Sequence, residues 1–151
     1  MARTARLALK LPATYLSNIM LDLTKLRALA EGYTAAWCSQ NAARVASFYE
    51  ENGALRVNDD PPATGREAIT EVAQGFMSAF PDMKVSLDDV RLQDEGAVYH
   101  WTLTGTNNGP SGTGRAVRIS GYEEWQLGAS GLIASSRGHF DSDDYRRQLE
   151  L

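Results

Sequence analysis

The chain has 151 residues, of which 43% are hydrophobic and 23% are charged, and its formal net charge is -4. This length and composition fit one globular domain that can bury a hydrophobic core. Because the charge is mildly negative and no basic run occurs, the sequence predicts no nucleic-acid partner and no attachment to anionic membranes.

The first 21 residues are predicted to be an extension ahead of a single domain at residues 22–151. Lys10 and Pro12 interrupt the apolar residues of this extension, so neither a signal peptide nor a membrane span is predicted, and the expected location is the cytoplasm. The stretch "RLALKL" alternates with a period of two, which is typical of an edge strand or of a strand exchanged with a partner chain. Met20 is an alternative start of the protein.

Two helices and a strand are predicted in the first part of the domain. Residues 23–39 place apolar side chains on one helical face, at Leu26, Leu29, Ala30, Tyr33 and Trp37. A short second helix is predicted at residues 41–50, with Asn41 as the candidate cap, and a strand at residues 53–58. Cys38 is the only cysteine, and its place in the helical pattern predicts a packed and unreactive thiol.

The segment "ATGREAITEVAQGFMSAFP" has the clearest helical pattern in the chain. Thr64 and Glu67 have the spacing of a capping box, and Pro81 marks the end of the helix. The apolar face of this helix comprises Ile69, Val72, Ala73, Phe76, Met77 and Phe80.

Four β segments follow, at residues 83–93, 97–107, 115–127 and 132–140, and a last short helix begins near residue 143. Helices that precede a mostly antiparallel meander indicate an α+β fold, in which the helices pack on one face of a curved sheet. The sequence has no βαβ alternation, no G-x-G-x-x-G motif and no P-loop, so nucleotide-binding folds are disfavoured.

Three stretches, in this order and spacing, resemble a known family. They are the first predicted helix followed by "ARVASFYEENGALRVN" and "TGREAI", then "LTGTNNGPSGTGRAVRISG", and finally "GLIASSRGHFDSDDYRRQL". Over residues 23–149 the chain is similar to the SnoaL-like polyketide cyclase branch of the nuclear transport factor 2-like superfamily. The resemblance implies a cone-shaped α+β barrel whose helices and sheet enclose a pocket. It also implies a homodimer. It implies little about the substrate, because one fold hosts many activities.

Alternate residues of the segment 132–141 place five side chains on one predicted face, namely Ile133, Ser135, Arg137, His139 and Asp141. Such a polar row suits the mouth of a water-accessible cavity or the solvent-exposed surface. The pairing with the preceding strand decides what lies opposite, since a shift of one residue reverses every face.

The favoured register pairs Leu127 with Ile133, because this groups the apolar side chains beneath a polar mouth. It places Glu123 opposite Arg137. The alternative register, one residue along, places Tyr122 opposite Arg137.

Asp141 has two interpretations from the residues alone. It stands just before "SDDYRRQL", where an acid at the cap position satisfies the first backbone donors of a helix. If Ser142 is the cap instead, Asp141 ends the polar row and becomes a pocket acid. The resemblance implies this second role, because the family's acid/base aspartate lies seven residues before a glutamine, as Asp141 lies before Gln148. His139, on the same predicted face, is the expected helper in proton transfer.

The other candidates are predicted to bind the substrate, and they are Tyr33, Trp37, Asn58, Phe76, Phe80, Glu123, Trp125 and Arg137. Tyr33 and Trp37 belong either to the pocket wall or to the core. Asn58 either holds a substrate carbonyl or is a turn residue. Glu123 is either a buried acid or, as we favour, the ion-pair partner of Arg137.

Two positions depart from the family's pattern. Asn107 stands where the cyclases often carry histidine, and Arg137 stands where they often carry tryptophan. These departures weaken the assignment of polyketide cyclisation itself.

The combined prediction is a cofactor-independent enzyme that performs acid/base chemistry on a small hydrophobic molecule, with Asp141 as the acid/base. Cyclisation, isomerisation and hydrolysis all fit this class. The alternative is a non-catalytic module of the same fold that binds a small molecule or dimerises through the outer sheet face, near Tyr122 and Glu124. No metal is predicted, because His100 and His139 lack the spacing of ligands, and the sequence has no flavin or nicotinamide fingerprint.

Overall fold

The computed structural model describes residues 12–94 and 96–150, and the side chains of these residues apart from 15–21. Four helices and six strands follow one another in the order α1 (Ala13–Cys38), α2 (Ala42–Ala46), β1 (Tyr49–Val57), β2 (Ala63–Thr64), α3 (Arg66–Ala79), β3 (Lys84–Gln93), β4 (Gly96–Thr106), β5 (Ala116–Leu127), β6 (Ile133–Phe140) and α4 (Ser142–Leu149). None of the described helices is long and apolar enough to cross a membrane.

The six strands form one curved, open sheet in the order β2-β1-β6-β5-β4-β3. All neighbouring strands run antiparallel except β1 and β6, which pair in parallel. Helices α1 and α3 pack on the inner face, and this confirms the predicted α+β architecture. The strands β3, β4 and β5 begin and end within one residue of their predicted bounds. Alternating side chains and glycine-rich turns are local signals that indicate where such strands begin and end.

Helix α1 buries the predicted apolar face, with Leu26, Ala30 and Tyr33 all in the core. It begins at Ala13, ten residues earlier than predicted. The strand-like stretch "RLALKL" lies outside the described residues. The expectation for Cys38 was wrong in one respect: its side chain is exposed, and its sulfur exchanges hydrogen bonds with the backbone of Val85.

The start of β1 and the start of α3 differ from the predictions. The second helix ends at Ala46, and Tyr49 begins β1 with its ring completely buried. The predicted capping box at Thr64 is not formed, because Thr64 lies in β2 and Gly65 is the cap residue of α3. Gly65 has φ +90°, a conformation that glycine adopts without a steric penalty, and its N–H bonds to the Gly53 carbonyl.

A β-bulge between β5 and β6 decides which side chains of β6 face inward. Leu127 pairs with Ile133 as favoured, but the next pair is Gln126 with Ser135. One extra residue on β6 therefore shifts the register of the remaining strand. Both predicted registers are wrong beyond this point, since Glu123 lies opposite Gly138 rather than Arg137.

The bulge also reverses the faces of β6. Ser136 and Gly138 are buried on the inner face, whereas Arg137 is exposed and His139 is half-buried on the outer face. The polar row predicted to line a cavity mouth therefore lies on the outside of the sheet.

Gly121 of β5 allows close packing beneath Trp101. A Cβ atom at position 121 would lie 2.6 Å from Cζ2 of Trp101 and would also press on the His139 carbonyl. We expect Gly121→Ala to lower the free energy of unfolding by about 1–3 kcal/mol, the usual cost of overpacking.

Gly75 offers a matched control, because it is exposed in α3 and a Cβ there would meet no atom within 4 Å. Gly75→Ala should raise the stability by about 0.5–1 kcal/mol. Urea unfolding at equal m-values measures both variants. A Gly121→Ala protein as stable as wild type would contradict the packing described here.

Candidate functional site

An apolar cavity lies between the helices and the inner face of the sheet. Its wall includes five aromatic side chains, Trp37, Phe76, Tyr99, Trp101 and Phe140. Its volume, counted as the space open to the centres of water molecules, is about 60 Å³. That space holds roughly four to six waters, or part of a small organic molecule.

Glu123 is the one carboxylic acid in this wall. It projects inward from β5, between Tyr99 on β4 and Gly138 on β6, its neighbours in the sheet register. The residue is only 7% exposed. Among residues 12–94 and 96–150, no cationic group lies within ion-pair distance of its carboxylate.

Three donors converge on one oxygen of Glu123. Its Oε1 accepts hydrogen bonds from the Ser136 hydroxyl (2.6 Å), the Tyr33 hydroxyl (2.9 Å) and the Trp125 indole N–H (3.0 Å). Its Oε2 receives no hydrogen bond from any residue that the structure describes. The carboxyl group thus has one saturated oxygen and one that is available to the cavity that Glu123 lines.

Burial raises the pKa of the Glu123 carboxyl above its ordinary value. The hydrogen bonds from Ser136, Trp125 and Tyr33 favour the ionised form and oppose this shift, but they do not cancel it. A carboxyl group whose pKa is displaced upward inside a cavity is a candidate for proton transfer near neutral pH.

A chain of buried tyrosines holds this arrangement in place. The Tyr33 and Tyr49 hydroxyls are 2.8 Å apart, and the Tyr99 hydroxyl bonds to Thr34 at 2.6 Å. Burial, and then the charge of Glu123, keep the pKa of Tyr33 and of Tyr49 well above the ordinary value. Both phenols therefore remain protonated at physiological pH and serve as hydrogen-bond donors.

Five of the predicted substrate-binding residues lie at or directly behind the cavity. Trp37, Phe76 and Glu123 line it. Tyr33 and Trp125 donate to Glu123 from behind the wall, and their rings meet edge to face with centroids 5.3 Å apart. The substrate-binding role predicted for these five residues stays a prediction.

Phe80 and Asn58 have structural roles. Phe80 is completely buried at the end of α3, against Gly105 and Tyr145. Asn58 has φ +51° in the turn after β1, and its side-chain oxygen accepts a hydrogen bond from the Phe140 N–H. Asn58 is thus the turn residue of the two predicted alternatives.

Asp141 caps α4. Its side-chain Oδ1 accepts hydrogen bonds from the N–H groups of Asp143 (3.1 Å) and Asp144 (3.0 Å). Of the two predicted alternatives for the cap, the structure shows Asp141 and not Ser142, since α4 begins at Ser142 and Asp141 precedes it. Asp141 is exposed and does not line the cavity around Glu123.

His139 and Arg137 also lie outside the cavity. His139 Nε2 is 2.8 Å from Oε1 of Glu124, and its ring stacks on Tyr122 with centroids 4.6 Å apart. The predicted pairing of Arg137 with Glu123 was wrong, because the bulge turns the two side chains to opposite faces. The structure brings Arg137, His139 and Asp141 together only in a shallow outer depression.

Several residues of the site were absent from the sequence prediction. Tyr49 was assigned to a helix, and Ser136 was assigned to the outer face. Tyr99 and Trp101 follow the inward alternation of β4, and the alternating apolar residues of "AVYHWTL" are the signal that could have identified them. Trp101 carries a further feature: its Nε1 is buried and has no hydrogen-bond partner among the described residues.

Comparison with known proteins assigns the chain to a family. A profile of the SnoaL-like polyketide cyclases matches residues 27–149. The chain belongs to the SnoaL-like polyketide cyclase family. No functionally curated protein gives a significant match.

Solved structures share the fold of this SnoaL-like chain at low sequence identity. A phenazine biosynthesis-related protein from Pseudomonas aeruginosa superposes with a TM-score of 0.73 at 17% identity, covering 89% of this chain and 90% of that one. A putative SnoaL-like polyketide cyclase from Jannaschia sp. gives 0.68 at 15% identity, covering 81% and 92%.

A hypothetical protein from Catenulispora acidiphila with a ketosteroid isomerase-like fold gives a TM-score of 0.70 at 13% identity, covering 80% of this chain and 91% of that one, and it was crystallised with trimethylamine. At these identities the likeness establishes the fold alone. The described part of the SnoaL-like chain contains no group of three or more His, Cys, Asp or Glu side chains placed to hold a metal ion.

The cap at Asp141 gives a stability prediction. Asp141→Ala should lower the free energy of unfolding by about 0.5–2 kcal/mol, because two backbone donors lose their acceptor. Asp141→Asn should cost much less, since asparagine is an equally good cap. Thermal unfolding of both variants measures the difference, and equal losses in the two would contradict the cap.

The raised pKa of Glu123 makes stability depend on pH. In the unfolded chain a glutamate titrates near pH ~4.3, and in the folded protein it titrates higher. The folded state therefore binds more protons between these two pKa values, and wild-type stability falls as pH rises through this window.

Glu123→Gln should remove that fall, so the stability of the variant relative to wild type should increase with pH across the window and then level off. Urea unfolding at a series of pH values tests this. Glu124→Gln, on the outer face of the same strand, is the control. Parallel curves for wild type and Glu123→Gln would refute the assignment.

Proposed function

We propose that this SnoaL-like protein binds a small, largely apolar molecule in the cavity and that Glu123 exchanges a proton with it. One observation carries this proposal: the carboxyl of Glu123 has three donors on Oε1 and none on Oε2, in a wall that is otherwise apolar and aromatic. Pockets that are apolar with a few placed polar groups are typical of small-molecule sites.

The chemistry of such a site is proton transfer without a cofactor. A carboxyl with an upward-displaced pKa accepts and returns a proton near neutral pH, and the aromatic walls exclude competing water. Proton removal from a carbon next to a carbonyl is the elementary step of aldol-type cyclisation and of ketone isomerisation. Both reactions fit the family to which the chain belongs.

The proposal gives Glu123 the acid/base role that the resemblance implied for Asp141. Asp141 uses one carboxylate oxygen to cap α4 and is exposed, whereas Glu123 is buried at the cavity. The desolvation that moves a carboxyl pKa toward neutrality acts on Glu123. The role of Asp141 stays a prediction that the experiment below also tests.

A non-catalytic binding module is the second candidate function. The small volume of the cavity and its largely apolar wall favour retention of a ligand as much as its conversion. The structural neighbour crystallised with trimethylamine is consistent with small-molecule binding by this fold. The homodimer implied by the resemblance stays a prediction, and the outer face with Tyr122, 39% exposed, is the surface proposed for it.

Deuterium exchange into the methyl group of acetophenone in heavy water tests the catalytic proposal without knowledge of the natural substrate. The wild-type protein should accelerate exchange over buffer, and Glu123→Gln should abolish this acceleration, a loss of about 10²–10⁴-fold for a removed general base. NMR measures the exchange rate.

Asp141→Asn serves as the matched comparison, because it keeps the cap of α4 and removes the other candidate acid. We expect this variant to retain the wild-type rate. Retained activity in Glu123→Gln with loss in Asp141→Asn would return the acid/base role to Asp141. Saturable binding with no exchange in the wild type would favour the binding module.

A further inference from the structure

We infer that α4 is a movable wall of the cavity and that the side chain of Gln148, which bonds this helix to β5, controls how easily a ligand enters. This inference rests on the proposed function, since it concerns entry into the same cavity. It goes further by assigning the route of entry and by naming a residue outside the cavity that controls it.

The closed cavity is too small for an organic molecule of ordinary size. Its volume of about 60 Å³ lies well below the roughly 300–1,000 Å³ of pockets that enclose such ligands. The wall consists of side chains from α1, α3 and the sheet, and these elements also build the hydrophobic core. Binding therefore requires one part of the enclosure to move while the core stays packed.

The sheet has a gap beside the cavity. Strand β6 pairs with β5 only as far as Gly121, so residues 116–120 of β5 extend past the end of β6. No strand of the described chain pairs with them on that side. Ile119, inside the unpaired stretch, and Phe140, the last residue of β6, border this gap and line the cavity.

Helix α4 fills the gap and takes the place of a longer β6. The side-chain amide of Gln148 bonds to both backbone groups of Arg118: its Oε1 accepts from the N–H at 2.7 Å, and its Nε2 donates to the carbonyl at 2.9 Å. These two hydrogen bonds are called the Gln148 bridge below. They replace the backbone pairing that a further residue of β6 would provide.

Apart from the Gln148 bridge, α4 has few contacts that hold it to the sheet. None of its eight residues is buried. The ring of Tyr145 meets that of Phe140 edge to face at a centroid distance of 5.6 Å and lies 6.4 Å from that of Phe80. Leu149 adds a partly buried contact with the core. An element that buries so little surface opens locally at a lower cost in free energy than the whole protein.

The connection between β6 and α4 lets the helix move as a unit. The end of β6 is fixed, because the Phe140 N–H donates to Oδ1 of Asn58. Asp141 is the single residue between the strand and the helix. Its capping hydrogen bonds run to Asp143 and Asp144 within the helix. A rotation about the N–Cα bond of Asp141 carries its side chain along with α4 and leaves the cap intact.

Displacement of α4 enlarges the cavity through the ring of Phe140. This ring contacts Trp101, which stays with the sheet, and Tyr145, which moves with α4. Once Tyr145 is withdrawn, the Phe140 ring is free to turn about its side-chain bonds, and the gap beside Ile119 opens to solvent. The Gln148 bridge has to break first, so Gln148 sets the population of the open state.

Gln148→Met removes both hydrogen bonds of the bridge and keeps the length of the side chain. The apolar probe 1-fluoronaphthalene then enters without breaking the bridge. It should bind about tenfold more tightly and associate about tenfold faster than in wild type, the effect of roughly one to two net hydrogen bonds on the open population. Fluorine NMR line shapes measure both the affinity and the association rate constant.

Arg146→Met is the matched control, because it places the same residue on an exposed side of α4, where Arg146 lies 3.5 Å from Asp143. Its affinity and association rate should stay within about twofold of wild type, since exposed ion pairs contribute little. Urea unfolding confirms that both variants are folded. Loss of a residue that only stabilises the fold would weaken binding, which is the opposite of the change expected for Gln148→Met.

The amide proton of Arg118 reports on the bridge in the wild-type protein. Its protection from hydrogen exchange depends on its bond to Oε1 of Gln148. Saturation with 1-fluoronaphthalene should speed its exchange about tenfold, because the bound molecule holds α4 away and the coupling between the two events is reciprocal. Amides in β4 should exchange no faster, since ligand binding stabilises the folded state.

Two results would overturn the inference. They are an affinity and association rate of Gln148→Met no higher than those of wild type, and an Arg118 amide that becomes better protected when the probe binds. Neither bears on proton exchange by Glu123. Faster entry into Gln148→Met together with wild-type deuterium exchange in Glu123→Gln would sink the acid/base role and leave the inference standing. Absence of saturable probe binding in both proteins would also overturn the inference, whereas the acetophenone assay still decides the proposed function.

Discussion

The burial of a single carboxyl group, Glu123, is the constraint on which the site depends. An ionisable group that is 7% exposed and has no cationic partner in the described chain must be compensated by hydrogen bonds. Three different elements supply them: Tyr33 comes from α1, Trp125 from β5 and Ser136 from β6. These donors all reach the same oxygen, Oε1, so Oε2 has no hydrogen-bond partner among the described residues.

The interior around Glu123 is tightly packed, yet two polar atoms there have no hydrogen-bond partner among the described residues. Aromatic rings close around the Glu123 network, with Tyr99 stacked on Trp125 at a centroid distance of 4.8 Å. Their packing fixes the hydrogen-bond donors to Glu123 in place, which is what a preorganised site requires. The unmet atoms, Oε2 of Glu123 and Nε1 of Trp101, both belong to the cavity wall. Among the described residues, Nε1 of Trp101 is the one buried side-chain nitrogen or oxygen without a hydrogen-bond partner.

Most of the fold was accessible from the sequence because its signals are local. The apolar face of α1, the helix after Gly65 and the strands from β3 to β5 follow from periodicity and glycine-rich turns. The bulge in β6 could not be predicted, because the alternation of polar and apolar residues does not show where an extra residue is inserted into a strand. That one residue exchanged the inner and outer faces, so Arg137 and His139 were assigned to the cavity. Asp141 was given a chemical role because the resemblance implied it, although the residues alone also allowed the cap that the structure shows.

The parallel pairing of β1 with β6 determines when in folding the surroundings of Glu123 can form. Tyr49 and Ile133 are neighbours in the sheet although more than half of the chain separates them. Closing so long a loop costs entropy that only the completed contacts repay, so this pairing is expected late in folding. Tyr49 and Ser136, which support the Glu123 network, lie on these two strands. A partly folded chain with only the β3–β5 meander therefore lacks two of the side chains around Glu123, and the hydrogen-bond network forms only with the complete sheet.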